Sequence, residues 1–401
     1  MDYQALAVIA VFAFLYSLIS SRLERTIFSG ALVYVFVGFL CGQYCFGLVH
    51  IELEGETLKV FAELTLSLVL FIDSANTNLV TLRRIESIPL RLLLIGLPLT
   101  IALGFVISFF LLDGLLLFEF ALLATMLAPT DAVLGKAVVT NKSVPESVRE
   151  SLSLESGLND GICVPVLLFF IALTGGETGL DEAAGLAVTL PLRAIGIGLL
   201  IGVAAGTIGS QLLRICHQRQ WISGTWLQVP VISLALVSFS ATEYLHGSGF
   251  IACFAGGIVF GALSKGQKQK YLEATETISD LMALMTWFVC GAAAIGLSWE
   301  LIDWKIVFYA ILSLTVIRML PVYLCLLGLK LDTETKLFMG WFGPRGLASI
   351  VFMVIVVDEH LPGGRILLAT VTTTILFSVI FHGITANPWA QRLGDRSRKH
   401  E

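Results

Sequence analysis

The sequence predicts an all-α polytopic membrane protein of about 13 transmembrane helices, built as an inverted repeat with two unwound crossing helices. Three observations carry this expectation. The 401 residues are 56% hydrophobic and 14% charged, with a mean hydropathy of +0.88, whereas a soluble domain carries about 25% charged residues. The apolar residues fall in long runs separated by short loops. Two of those runs hold proline and glycine breaks, each with a charge beside it, far from any loop.

A hydrocarbon core needs roughly 20 apolar residues per helix. The runs that meet this criterion have cores near 3–20, 27–49, 58–74, 88–112, 115–139, 152–174, 183–213, 225–245, 249–263, 278–297, 304–329, 337–357 and 366–382. The first starts acidic and has no small-residue cleavage site, so it reads as a span and not as a signal peptide. The seventh is long enough to tilt. A short Gly-rich turn joins the eighth to the ninth.

Loop charges give the orientation. Arg22 and Arg25 follow the first span, Arg83, Arg84 and Arg91 the third, and Lys136, Lys142 and Arg149 the fifth. Arg214 and Arg219 follow the seventh, Lys265, Lys268 and Lys270 the ninth, and Lys330 and Lys336 the eleventh. Arg392, Arg396, Arg398 and Lys399 close the chain, whereas 50–56, 113–114 and 175–182 carry no Lys or Arg. Positive charge marks the cytoplasmic side. The expectation is an N-terminus outside and a C-terminus inside, in a plasma (inner) membrane of bacterial or archaeal type.

Residues 1–382 read as one transmembrane transport unit, with core spans drawn in part from 58–174 and 278–382 beside scaffold helices. Residues 383–401 read as a short cytoplasmic tail. No loop exceeds about 20 residues, which leaves no room for a nucleotide-binding domain. This argues against an ATP-driven pump and favours a carrier or channel. His217, His246 and His382 sit in no Ser/His or metal pattern, so no enzyme activity and no cofactor are expected, and nothing points to nucleic acid. The seven cysteines form no metal-ligand spacing and read as packing residues.

The fifth span contains Ala128-Pro129-Thr130-Asp131-Ala132, and the twelfth contains Gly343-Pro344-Arg345-Gly346. Proline removes a backbone donor and clashes with the preceding turn. In lipid, freed backbone groups are tolerated only where protein or water satisfies them. Paired interrupted helices are the strongest sequence pointer to a transporter's binding site. An odd separation between the two spans gives them opposite orientation, as an inverted repeat requires. Asp131 and Arg345 are placed to neutralise the facing half-helix ends.

The sixth span carries Glu155-Ser156-Gly157-Leu158-Asn159-Asp160-Gly161. An intramembrane carboxylate costs at least a few kcal/mol, so it marks a functional site by default. Asp160 and Glu155 point about 140° apart around a helix, so they do different jobs. Asp160 shares a face with Ser156. With Thr130 and Asp131 these offer hard oxygen ligands for a small cation, and Asp73, ending the third span, is a further acid within reach. Glu155 needs its own partner, and Arg318 inside the eleventh span is expected to pair with it. The alternative for Asp160 is a structural ion pair with Arg345.

At these residues the chain resembles the monovalent cation:proton antiporter family, in its NhaP/NHE (sodium/proton exchanger) branch. Thr130-Asp131 after a proline matches the unwound-helix motif, and Asn159-Asp160 the ion-binding pair. Glu155 with Arg318 matches the buried salt bridge, and Gly343-Pro344-Arg345-Gly346 the second crossing helix. The resemblance implies 13 helices in a moving core domain and a fixed dimerisation domain, hence a homodimer in membrane lipid. It implies that Asp160 binds sodium or lithium and the proton in turn. Ser156 and the Thr130 carbonyl would coordinate sodium, with Asp131 supporting the crossing or reaching the ion through water. Electrogenic relatives carry Asp where this chain has Asn159, which implies electroneutral exchange. Where some members have Glu, this chain has the shorter Asp73. A potassium/proton antiporter or a cation channel of related fold is the rival.

Gly198, Gly202 and Gly206 lie at four-residue spacing in the seventh span, as close helix packing requires. Trp221 and Trp226 flank a span start and read as interface anchors.

Overall fold

The computed structural model describes residues 3–23, 29–51, 56–77, 87–131, 134, 136–139, 141, 143–174, 180–227, 229–264 and 266–400. Arg25, Arg83, Arg84, Ala132, Lys142, Lys265 and positions 175–179 of the bare loop lie outside them. The described residues are helical almost throughout. In chain order the helices are α1 (Tyr3–Leu23), α2 (Gly30–Cys41), α3 (Glu56–Asn76), α4 (Ser87–Leu111), α5 (Leu117–Met126), α6 (Lys136–Val139), α7 (Glu146–Thr174) and α8 (Leu180–Gln218). There follow α9 (Val229–Tyr244), α10 (Gly249–Leu263), α11 (Lys268–Leu301), α12 (Trp304–Leu314), α13 (Val316–Cys325), α14 (Thr333–Trp341), α15 (Leu347–Asp358) and α16 (Gly364–His400). Among the described residues, seven helical stretches are long and apolar enough to cross a membrane, with α12 and α13 together forming one of them, and five apolar helices are shorter.

Boundaries differ from the hydropathy reading where charge and helicity part company. α7 begins at Glu146 and α11 at Lys268, well before their apolar cores, because backbone hydrogen bonding continues past the hydrocarbon edge. α2 stops at Cys41, where Gly42 turns extended and Gly47 takes a φ of +63°. The eleventh span breaks at Thr315 into α12 and α13. α4 and α11 each carry a π segment, at Leu92–Gly96 and Cys290–Ala294. Beyond His382 the chain continues as α16, with Trp389 against Phe338 and Phe342 at 5.9 and 5.7 Å between ring centres.

The chain divides into two compact units, and α7 contributes to both, up to Ser156 in the first and from Gly157 in the second. The first unit also holds residues 1–59, 87–155 and 284–401. Within it α2 packs on the end of α11 through Gly38, Gly42 and Gly291, each against bare backbone. An aromatic cluster of Phe12, Tyr16, Tyr34 and Phe288 ties α1 to the same place.

The second unit comprises residues 60–86 and 157–283 and is centred on α10. Gly198, Gly202 and Gly206 lie against the carbonyls of Ser248, Ala252 and Gly256 on α10. The glycine stripe therefore packs within the chain. On another face of α10, Gly257 and Gly261 meet α3 at Phe71 and Ala75. The α3 C-terminus is closed by Lys268 Nζ, which donates to the Ala75 and Asn76 carbonyls at 3.0 and 3.2 Å. The seven cysteines are unbridged, and Cys41, Cys163, Cys253, Cys290 and Cys325 are buried.

Candidate functional site

The fifth and twelfth spans are interrupted where the prolines predict. α5 ends at Met126 and α6 begins only at Lys136, while α14 ends at Trp341 and α15 begins at Leu347. The two breaks lie in the first unit and bond to each other. Asp131 N donates to the Pro344 carbonyl at 2.8 Å. The Asp131 carboxylate accepts from Leu347 N at 2.7 Å and Leu134 N at 3.1 Å. It thus sits at the positive N-terminal end of α15, where a carboxylate is favoured. Arg345 does the converse at the end of α5. Its Nη1 donates to the Ala128 carbonyl at 2.7 Å and to that of Pro129 at 3.2 Å. Ser349 Oγ donates to the Met126 carbonyl at 2.7 Å. Arg345 is fully buried.

Gly346 explains why this crossing needs glycine. A Cβ there would land on the Asp131 carboxylate. The close approach that lets Asp131 cap α15 exists only because that position has no side chain.

Glu155 and Arg318 meet as the sequence predicts. Nη1 lies 2.6 Å from Oε1, and Nη2 donates to Oε2 at 2.8 Å. Both side chains are buried. Gly343 lies over the guanidinium, where a Cβ would come within 2.5 Å of Nε. The pair therefore props the second break from beneath.

The proposed oxygen ligands divide as follows. Ser156 Oγ donates to the Thr130 carbonyl at 2.6 Å, so these two are together. A carbonyl keeps a second lone pair, and a hydroxyl that donates can still accept. Asn159 and Asp160 follow on α7 within about one turn of Ser156, and both are buried, Asp160 at 7% exposure. In the second unit Asp73 packs on α7 at Gly157, where a Cβ would lie 3.5 Å from the Asp73 Cβ. Asp73 is thus set beside the turn that carries Asn159 and Asp160.

This sequence matches the family described as "Sodium/hydrogen exchanger, transmembrane" over residues 8–392. The chain belongs to the sodium/hydrogen exchanger family. It is 31% identical over 301 residues to the Na(+)/H(+) antiporter NhaH of Halobacillus dabanensis, covering 72% of this chain and 71% of that protein. It is 24% identical over 385 residues to the K(+)/H(+) antiporter NhaP2 of Shewanella sp. (strain MR-4), covering 94% of this chain and 64% of that longer protein. Its fold matches the sodium proton antiporter MjNhaP1 of Methanocaldococcus jannaschii with a TM-score of 0.78 over 95% of this chain and 98% of the other, at 19% identity. As an exchanger-family member it is a multi-pass membrane carrier and not an enzyme.

Two buried groups of this exchanger have contacts that the sequence reading does not assign. Glu119 in α5 accepts from Leu116 N at 2.7 Å and from Gly363 N at 2.8 Å, joining the start of α5 to the turn before α16. An acid inside an apolar run was the available signal. His382 is buried between Ser378 and Trp341. The expectation of no Ser/His pattern at His382 is corrected: Ser378, four residues earlier on α16, lies against it, while its other partner, Trp341, is in another span.

Proposed function

We propose that this chain exchanges sodium or lithium for protons across a membrane, one for one and without net charge movement, by competition of ion and proton for Asp160. The observation that carries this reading is a buried carboxylate on α7, within about one turn of Ser156, whose hydroxyl bonds to the carbonyl of the interrupted fifth span. Desolvation penalises the ionised carboxylate. Loaded with a proton or a monovalent cation, Asp160 is neutral, and empty it is costly to carry through a closed state. Only loaded forms cross, and two loads compete for one oxygen pair, so exchange is obligatory. Thr130 and Ser156 supply hard oxygens to the cation, and Asp131 and Arg345 hold the crossing. Asn159 adds no titratable group, which supports electroneutrality. Asp73 on α3 is a further acid beside the same turn of α7.

The protein works as a homodimer in membrane lipid, with its C-terminus cytoplasmic. Potassium in place of sodium is the second reading, supported by the K(+)/H(+) relatives that align over most of the chain.

The test is proton flux in proteoliposomes, titrated with each alkali cation, with and without a voltage clamp by valinomycin and potassium. Sodium- or lithium-driven flux that is insensitive to the clamp is expected, and Asp160→Asn should abolish it. Cation-dependent flux retained in Asp160→Asn would refute the site. Flux driven by potassium alone would select the second reading.

A further inference from the structure

The twelfth span has two broken ends, and neither Asp131 nor Arg345 side chains satisfy both. α14 stops at Trp341 with a carbonyl facing the break, and Arg345 presents its backbone N–H on the far side. Both groups are met by one helix, α16. His382 Nε2 lies 2.8 Å from the Trp341 carbonyl. Arg345 N donates to Ser378 Oγ at 2.7 Å. His382 and Ser378 are one turn apart on α16 and touch, Nδ1 lying 3.2 Å from Ser378 Oγ and 2.8 Å from the Ser378 carbonyl.

Chemistry constrains these bonds. A carbonyl only accepts, and each ring nitrogen lies 2.8 Å from one, Nε2 from that of Trp341 and Nδ1 from that of Ser378, so the neutral ring donates to one of the two. The ring is 2% exposed, and a cation held there against carbonyls and a hydroxyl would be desolvated without a carboxylate. Ser378 Oγ accepts from Arg345 N, and the ring lies against both Ser378 and the Trp341 carbonyl in either tautomer. The Trp341 carbonyl also takes Gly343 N–H at 2.8 Å, and Trp341 Nε1 donates to Thr385 Oγ1 on α16 at 2.8 Å. The indole and imidazole rings lie 5.0 Å apart.

We propose that His382 and Ser378 form a clamp that sets the geometry of the broken twelfth span, which makes His382 a positioning residue for exchange. The clamp fixes Arg345 at its backbone. Arg345 in turn holds the Ala128 and Pro129 carbonyls, next in chain to the Thr130 carbonyl that Ser156 meets. A slack clamp therefore displaces the oxygens offered to the cation without touching them. A histidine that merely filled space would tolerate any apolar residue of its size.

This inference rests on the exchange reading for its transport readout, so the experiment carries a second readout that does not. His382→Leu, His382→Gln and Ser378→Ala are compared with the wild type in proteoliposome flux and in hydrogen–deuterium exchange of peptides covering 341–347. Gln keeps a donor near the Nε2 position, whereas Leu has none. His382→Leu and Ser378→Ala should raise the apparent KM for the cation roughly tenfold, the effect of one buried polar group left unmade. Both should speed deuterium uptake at 341–347, and His382→Gln should restore both properties toward wild type. Wild-type KM and uptake in His382→Leu and Ser378→Ala would overturn the clamp. So would a His382→Gln protein as impaired as His382→Leu. If His382→Leu fails to fold, Ser378→Ala decides on the same two readouts. If the wild type gives no cation-driven flux, the exchange reading fails, and deuterium uptake still tests the clamp.

Discussion

Replacing Arg318 with alanine strands the Glu155 carboxylate in the interior of the first unit. The structure shows a two-pronged contact, 2.6 and 2.8 Å, between side chains 1% and 2% exposed. Removing one partner of such a pair costs about 3–5 kcal/mol, because the remaining charge is desolvated with nothing to meet it. A solvent-exposed pair is worth only ~0–1 kcal/mol. Replacing both partners with apolar residues, Glu155→Leu with Arg318→Met, removes both desolvation penalties and should cost far less than either single change. The wild type, Glu155→Leu, Arg318→Met and the double variant form a double-mutant cycle, read by thermal unfolding in detergent and by proteoliposome flux. The singles should melt well below the wild type and fail to transport, and the double should recover most of the stability. An Arg318→Ala protein that melts with the wild type and transports fully would refute the reasoning. So would strict additivity in the double variant, since groups in direct contact couple by about 0.5–3 kcal/mol. Gly343→Ala attacks the same pair from above, as its Cβ would press on Arg318 Nε.

Four further outcomes are expected. Asp131→Asn places an amide NH2 against one of the two backbone N–H groups that the carboxylate now serves, and should lower stability by about 1.5–3 kcal/mol in a detergent melt. An Asp131→Asn protein as stable as the wild type would deny the capping role. Gly202→Leu forces a side chain onto the Ala252 carbonyl and should destabilise by about 1–3 kcal/mol, seen as a lower melting temperature; an unchanged one would show that α8 and α10 can part. The apparent cation affinity should weaken as pH falls, because protons compete for Asp160, and an affinity constant from alkaline to acid pH would exclude competition. Asn159→Asp adds a titratable group beside Asp160 and should make flux respond to the voltage clamp, whereas clamp-insensitive flux would remove Asn159 from the charge balance.

The fold class and the crossing were legible in the chain for a simple reason. In a bilayer, backbone breaks and buried charges are costly, so Pro129, Pro344, Asp131, Arg345 and Asp160 stand out against the apolar background. The Glu155–Arg318 pair was legible by the same accounting, since each isolated charge requires an opposite one. Helix ends were less legible. Hydropathy falls at Leu152 and Ile278, but helical hydrogen bonds run back to Glu146 and Lys268, because lipid and the helix end in different places. The kink at Thr315 and the π segments of α4 and α11 left no signal that a hydropathy reading detects.

The sequence by itself determined that this is a polytopic membrane protein with two interrupted helices and two acids within the sixth span, because each of those features departs from what lipid tolerates. Only the tertiary structure decided which oxygen meets which donor. Asp131 serves α15 across a glycine that has no Cβ, Ser156 bonds to Thr130, and His382 reaches Trp341 and, through Ser378, Arg345. Those contacts join residues far apart in the chain, and no residue type or spacing encodes them until the helices have packed.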